Sequence, residues 1–256
     1  MHFDATAIVL ALVGLMVGSF LNVCIYRIPQ RRSVVRPRSR CASCERPLAW
    51  YENIPVASYI ALRGRCRTCG ARIALRYPIV ELATAAAFVL EYAVLGWSPL
   101  LPVRIAFACI LIVLFAIDLE HQLLPNVITL PALCAGLVAA IALPPGLRDA
   151  LIGAIVGGGI LFLIAEVYFR LRHEEGMGMG DVKMLAMIGA FLGWKLTLLT
   201  LILASLGGSL AGVLLLVTRR GNLKAALPFG TFLAAGALAA SLFGEPIVAW
   251  YLGRLT

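Results

Sequence analysis

The chain has 256 residues, of which 61% are apolar and only 14% carry a full charge, with a net charge of +9. Soluble domains are about 25% charged, so this composition excludes an ordinary soluble protein. It also excludes a disordered chain, and 7 cysteines are too sparse for a secreted disulfide scaffold. We therefore predict an all-α polytopic membrane protein.

About eight apolar segments are predicted as transmembrane helices. A helix needs about 20 apolar residues to cross a bilayer, so the sixth segment is short and is predicted to be tilted, sunken or re-entrant. The predicted domains are a first helix at 1–28, a cytosolic loop domain at 29–78 and a membrane core at 79–256. The eight segments are 5–27, 79–97, 100–118, 125–143, 149–169, 182–193, 196–217 and 228–251.

Glycine pairs with a spacing of four residues occur in three of these segments. Such pairs allow helices to pack closely in lipid. We expect a structural role for the pairs, which are Gly14 with Gly18, Gly153 with Gly157, and Gly208 with Gly212.

Arginine is concentrated between the first two apolar segments. Residues 31–76 contain eleven arginines and two acids, Glu45 and Glu52, so this interval carries the whole net charge. The positive-inside tendency places it in the cytosol, with the N-terminus on the outside. Topology and attraction to anionic lipid headgroups both account for the arginines, so nucleic acid is not expected as a partner.

The loop domain contains two Cys-x-x-Cys knuckles, Cys41–Cys44 and Cys66–Cys69. Each two-residue gap lets both thiolates reach one tetrahedral metal ion, and four sulfur ligands would leave no open position. The loop has few large apolar side chains, so bound zinc would supply folding energy. We predict a structural zinc site. Cys24, Cys109 and Cys134 lie in apolar segments, where a buried thiol ordinarily acts as a small hydrophobe.

Two aspartates stand at the ends of apolar segments. Asp118 ends the third segment and Asp181 opens the sixth, so alternation of the segments places both at the cytosolic side. Ionisable groups in a membrane are expensive and commonly functional. Two carboxyl groups at one depth can form an aspartyl protease pair, in which the ionised member activates water and the protonated member polarises the scissile carbonyl.

Helix direction suggests which carboxyl group keeps the proton. Asp118 would lie at the negative, C-terminal end of its helix and Asp181 at the positive, N-terminal end of its own. On this ground Asp181 is expected to be the base.

Glycines precede Asp181 at Gly176, Gly178 and Gly180. Without side chains, the backbone there can adopt positive φ and let another extended chain approach. Lys183 could steer a substrate carboxylate or act on Asp181, although a lysine snorkelling at a helix end is the simpler interpretation.

Motifs along almost the whole chain resemble those of the bacterial type IV prepilin peptidases, which belong to the Gly-x-Gly-Asp class of membrane aspartyl proteases. Two residues depart from the family pattern: Ala42 replaces a common proline, and Asn126 stands where many relatives have aspartate. The motifs that carry the resemblance are residues 18–29, 48–59 and 76–82, the Asp118 segment, Gly178-Met-Gly-Asp-Val-Lys183 and Leu227-Pro-Phe-Gly230.

The resemblance implies that Asp118 and Asp181 are the catalytic pair, that Gly178, Gly180 and Lys183 belong to the active-site loop, and that the four loop cysteines bind zinc. It also implies a location in the bacterial inner membrane. The implied substrates are prepilins and pseudopilins, cut after a short leader at the cytosolic membrane face. Many relatives also methylate the new N-terminus with S-adenosylmethionine, which is implied here with less support because no methyltransferase motif is legible.

Two other function classes remain open from the residues alone. An ion- or proton-coupled transporter would also use intramembrane carboxylates, but such sites lie near the bilayer midplane and commonly in repeated halves. A non-catalytic scaffold would leave the glycine-flanked aspartate unexplained.

Overall fold

The structure, a computed structural model, describes residues 5–174, 178–218 and 228–254. Over these residues the chain is helical, with two isolated β-bridges and no strand of greater length. The predicted all-α class is confirmed. The helices are α1 (Ala5–Arg27), α2 (Ala57–Ala61), α3 (Arg76–Leu95), α4 (Leu100–His121), α5 (Asn126–Ala139), α6 (Leu147–Arg172), α7 (Met179–Val217) and α8 (Phe229–Leu252), and a short 3-10 helix covers Trp50–Asn53.

Six of the helices in the described ranges, α1, α3, α4, α6, α7 and α8, are long and apolar enough to cross a membrane. The chain is therefore a multi-pass membrane protein, as predicted. The segment predicted at 125–143 corresponds to the shorter α5, of 14 residues. The segments predicted at 182–193 and 196–217 are the two parts of the 39-residue α7.

Gly193 separates the two parts of α7. Its φ of 74° and ψ of 171° are non-helical and kink the helix at this point. Such a conformation is available to glycine and strained for other residues. The part of α7 before Gly193 is buried along most of its length. Because its neighbours are protein rather than lipid, it does not need the length of an isolated transmembrane span.

The chain divides into two compact units, Met1–Leu101 and Pro102–Thr256. In the first unit, α1 packs closely on α3 through one of the predicted glycine pairs. A Cβ atom at Gly14 would lie 2.7 Å from Cα of Ala85, and one at Gly18 would lie 2.7 Å from Cα of Glu81. Because Gly14 and Gly18 have no side chains, the backbones of α1 and α3 can approach closely, which confirms the structural role of this pair.

The first unit also attaches the loop to its helices by hydrogen bonds. The Val56 backbone N–H donates to Oε2 of buried Glu81 at 2.8 Å, which joins the loop to α3. The side-chain amide of buried Asn22 on α1 donates to the Tyr77 carbonyl at 3.0 Å. Buried polar groups need such partners. The first bond holds the loop against α3, and the second joins α1 to the first turn of α3, which contains Tyr77.

In the second unit, α7 is the central helix and packs on α5, α6 and α8. A Cβ atom at Gly157 of α6 would lie 2.8 Å from the Leu185 carbonyl oxygen, so this glycine also serves close packing. The rings of Phe107 on α4 and Phe191 on α7 are stacked, with centroids 4.6 Å apart. The core of the second unit is thus built around the first part of α7.

We expect Gly193→Ala to destabilise the protein by about 1–3 kcal/mol, because alanine is strained at this φ and ψ. Its Cβ atom would also lie 3.0 Å from Cβ of Pro145. Thermal unfolding in detergent measures the effect. The matched control is Gly159→Ala in α6, where a Cβ atom meets nothing within 4 Å. The control should be neutral or slightly stabilising, and equal melting temperatures for the two variants would contradict the assignment of a glycine-specific kink.

Candidate active site and metal site

The two cysteine knuckles have the same backbone hydrogen-bond pattern. The N–H of Cys41 donates to the Arg46 carbonyl at 3.0 Å, and the N–H of Cys66 donates to the Ala71 carbonyl at 2.8 Å, five residues on in each case. Positive φ occurs at the equivalent positions Glu45 and Gly70. An isolated β-bridge closes each turn, Arg40 with Pro47 and Arg65 with Arg72.

The two knuckles bring all four cysteine sulfurs together. The Sγ atoms of Cys41, Cys44, Cys66 and Cys69 lie within 4.8 Å of one another, and those of Cys41 and Cys69 are 3.8 Å apart. Four sulfurs bound tetrahedrally at about 2.3 Å from zinc would be separated by about 3.8 Å. The donor set and its spacing therefore fit a tetrahedral metal ion.

Backbone donors and a nearby ion pair support a thiolate at Cys66, whereas contacts with the neighbouring thiols raise the pKa of Cys69 to about 11. The N–H groups of Cys69 and Thr68 donate to the Cys66 sulfur and lower the pKa of that thiol to about 6. Nη2 of Arg46 lies 2.6 Å from Oε1 of Glu52, and this contact holds the pKa of the Glu52 carboxyl below its usual value. Arg46 also interacts with Cys66, so a fixed positive charge stands beside the sulfurs.

Asp118 lies in the last turn of α4 and is 5% exposed. Its Oδ2 atom accepts two hydrogen bonds from one residue of α8: the Thr231 backbone N–H donates at 2.7 Å and the Thr231 hydroxyl at 3.1 Å. Thr231 is in the first turn of α8, where backbone N–H groups have no partner within the helix. The carboxyl group of α4 thus caps the N-terminus of α8.

Asp181 lies in the first turn of α7 and is partly buried. Its carboxyl group is close enough to that of Asp118 for the two to interact electrostatically. The fold therefore brings together, within the second unit, the two aspartates that the sequence singled out. Two acidic groups so placed share protons, since ionising both at once in a low-dielectric site is costly.

Leu124 lies between the segments that carry the two aspartates. A Cβ atom at Gly230 would lie 2.9 Å from Cδ1 of Leu124 and 3.0 Å from Oδ2 of Asp118. A Cβ atom at Gly180 would lie 3.0 Å from Cβ of Leu124. Glycine at both positions lets the N-termini of α7 and α8 approach the α4–α5 connection, which brings the carboxyl groups near each other.

The described glycines before Asp181 do not use the positive φ that glycine permits. Gly178 precedes α7 with an extended backbone, φ −73°, and Gly180 is already helical. Gly178 is exposed, which leaves the backbone before Asp181 accessible. Gly176, the third glycine of the group, lies outside the described residues.

The Lys183 side chain forms a hydrogen bond with the beginning of α5. Its Nζ atom donates to Oδ1 of Asn126 at 3.0 Å. Asn126 is the first residue of α5, so this bond joins the beginnings of α5 and α7 near the two aspartates. Because the Asn126 side chain is neutral, it accepts this hydrogen bond without forming an ion pair.

The sequence did not single out Thr231 or Leu124. Thr231 directly follows the motif that ends at Gly230, and Leu124 lies within the segment that follows Asp118, so both are next to motifs that were recognised. No local pattern distinguishes a threonine that donates to a carboxylate 113 positions away from one that only packs in a helix.

Comparison with known proteins gives matches over both units. Residues 12–95 match the Bacterial Peptidase A24 N-terminal domain, and residues 105–213 match the Type IV leader peptidase family. The four loop cysteines fall in the first match and both aspartates in the second. No solved structure matches the chain.

Several curated relatives bear the name prepilin leader peptidase/N-methyltransferase. The protein from Myxococcus xanthus is 45% identical over 214 residues, which cover 82% of this chain and 63% of that protein. The protein from Aeromonas salmonicida is 38% identical over 274 residues, covering 95% of this chain and 93% of that protein. The protein from Pseudomonas aeruginosa is 38% identical over 267 residues, covering 94% and 91%.

Proposed function

The chain belongs to the type IV leader peptidase family, and we propose that it is a membrane aspartyl endopeptidase that removes the leader peptides of prepilins and pseudopilins. The single observation that carries this proposal is the proximity of the Asp118 and Asp181 carboxyl groups, which interact within one unit of a multi-pass membrane protein. The name shared by the relatives supports the substrate class.

In the proposed reaction the two carboxyl groups hold one proton between them. The ionised group takes a proton from water, whose oxygen attacks the scissile carbonyl carbon, while the protonated group donates a hydrogen bond to the carbonyl oxygen. The tetrahedral intermediate then collapses as the carbon–nitrogen bond breaks and a proton passes to the leaving nitrogen. Exposed Gly178 leaves room for an extended substrate chain beside Asp181.

We further propose that this chemistry takes place at the cytosolic face of the bacterial inner membrane. A substrate with a polar leader and an apolar helix has its junction at a membrane interface, and both aspartates stand at helix ends. The arginine-rich loop at 29–78 would be cytosolic by the positive-inside tendency. The alternative of an ion-coupled transporter is not retained, because the relatives carry a peptidase name.

For the loop at 29–78 we propose a structural zinc ion held by Cys41, Cys44, Cys66 and Cys69. The four sulfurs fit tetrahedral zinc in number and spacing. A bound ion would fix the two knuckles relative to each other and would supply folding energy that a loop poor in apolar side chains lacks.

We also propose methylation of the new N-terminus with S-adenosylmethionine as donor. Support comes from the names of the relatives, which include N-methyltransferase. No described residue of this chain is assigned to the methyl donor.

Asp118→Asn and Asp181→Asn should each slow leader removal by about 10²–10⁴-fold, because each removes one partner of the acid–base pair. Purified protein in detergent is incubated with a prepilin, and the cleaved product is quantified. Asp149→Asn in the first turn of α6 is the matched control and should cleave at the wild-type rate. Wild-type rates for either of the first two variants would refute the catalytic assignment.

Purified protein should contain about one zinc ion per chain, and Cys66→Ser should lose it because three sulfurs hold zinc far more weakly than four. Elemental analysis by mass spectrometry measures the metal, and limited proteolysis should show faster cutting of the loop after chelation. Cys134→Ser in α5, outside the cluster, is the control and should retain its zinc. Full zinc content in Cys66→Ser would contradict the site.

The mature N-terminus should carry one additional methyl group when S-adenosylmethionine is present during cleavage and none when it is absent. Mass spectrometry of the N-terminal peptide measures both cutting and methylation. A product that is cut but unmethylated under both conditions would leave the peptidase proposal intact and reject the transferase.

A further inference from the structure

Thr231 is the residue from which a further inference starts. It is 6% exposed, and it donates both its backbone N–H and its hydroxyl to a single oxygen, Oδ2 of Asp118. The residue before α8 is Pro228, which provides no side-chain cap for this helix. The Asp118 carboxylate therefore supplies the acceptor that the first turn of α8 requires.

Hydrogen bonds from two donors favour the ionised form of a carboxyl group, and they are stronger when the acceptor is charged. The N-terminal end of α8 adds a positive pole at the same oxygen. These effects act against the negative pole at the end of α4, where Asp118 itself lies. A direct hydrogen bond to a charged group outweighs a helix pole, so the donors from Thr231 dominate.

The surroundings of Asp181 are poorer in donors. Within the described ranges, no side chain or backbone N–H donates to its carboxyl group, although it lies at the positive end of α7. The nearest cation on α7, Lys183, donates to Asn126. Glu120 and His121 follow Asp118 on α4 and are close to each other, with Oε2 and Nε2 4.0 Å apart.

We propose that Thr231 is a positioning residue that keeps Asp118 as the ionised member of the pair, so that Asp118 is the general base and Asp181 carries the shared proton. This inference rests on the proposed peptidase function and reverses the assignment that helix direction alone suggested. Because Oδ2 is occupied by the two donors from Thr231, the proton of the attacking water passes to Oδ1 of Asp118. Asp181 then donates its hydrogen bond to the scissile carbonyl.

The test compares Thr231→Val, which keeps the shape and the backbone N–H but removes the hydroxyl donor, with Thr231→Ser, which keeps both donors. The rate of prepilin cleavage is measured as a function of pH. For two coupled carboxyl groups, the plot of rate against pH has two limbs. The rate rises on the acidic limb as the base ionises, and it falls on the alkaline limb as the acid loses its proton.

We expect the acidic limb of Thr231→Val to move to higher pH by about one unit, since one donor to the ionised base is lost. The alkaline limb should stay in place, and Thr231→Ser should match the wild type. The same comparison in a His121→Gln background removes the imidazole that lies three residues after Asp118 on α4, so that a remaining shift of the acidic limb belongs to the aspartate pair. Movement of the alkaline limb instead, or of neither limb, would overturn the proposal.

A second measurement does not depend on activity or on the stability of Thr231→Val. The chain contains four aspartates, Asp4, Asp118, Asp149 and Asp181, so ¹³C labelling at the aspartate carboxyl carbon gives a short set of resonances. Asp118→Asn and Asp181→Asn identify the two resonances of the pair in the wild-type spectrum. On raising the pH, Asp118 should ionise before Asp181; the reverse order would reject the proposal even if no prepilin is cleaved, and absence of cleavage with the expected order would reject only the peptidase function.

Discussion

The second unit depends on one contact, in which the Asp118 carboxylate accepts two hydrogen bonds from Thr231 at the start of α8. A buried carboxylate is costly without donors, and a helix that starts after proline lacks a side-chain cap for its free N–H groups. The first turn of α8 provides donors for the carboxylate, and the carboxylate provides the acceptor that this turn lacks. The contact therefore holds the end of α4 against the beginning of α8 and fixes the position of one of the proposed catalytic carboxyl groups.

That contact is possible because the glycines near the start of α7 and α8 let these helices pack closely against the connection between α4 and α5. Gly230 and Gly180 leave space for Leu124, which lies between the segments that bear the two aspartates. In a membrane, helices gain little from burying apolar surface against each other, so close packing of small residues and hydrogen bonds determine how they associate. The same principle explains the contact of α1 with α3 in the first unit, where Gly14 and Gly18 face the backbone of α3.

The loop of the first unit is stabilised by other interactions than the helices are. It has two hydrogen-bonded turns, four sulfurs within 4.8 Å of one another and an ion pair between Arg46 and Glu52, but few apolar side chains to bury. Turn geometry and metal ligation can order such a segment where hydrophobic burial cannot. The bond between Val56 and Glu81 then attaches this loop to α3. The first unit thus combines a polar loop, which the proposed metal ion would order, with two closely packed apolar helices.

The sequence by itself determined the all-α membrane class, the polar loop with its cysteine spacing and the choice of Asp118 and Asp181, because each depends on local composition or on a short motif. It did not reveal that the segments at 182–193 and 196–217 form one kinked helix, since the φ and ψ of Gly193 depend on its packed surroundings. Nor did it reveal the hydrogen bonds between Thr231 and Asp118. The prediction from helix direction took into account only the helix on which each aspartate lies. The tertiary structure places Asp118 at the positive end of α8 as well, where it contacts a residue 113 positions further along the chain. The ionisation of a buried carboxyl group depends on the donors that contact it, and only the fold decides which donors those are.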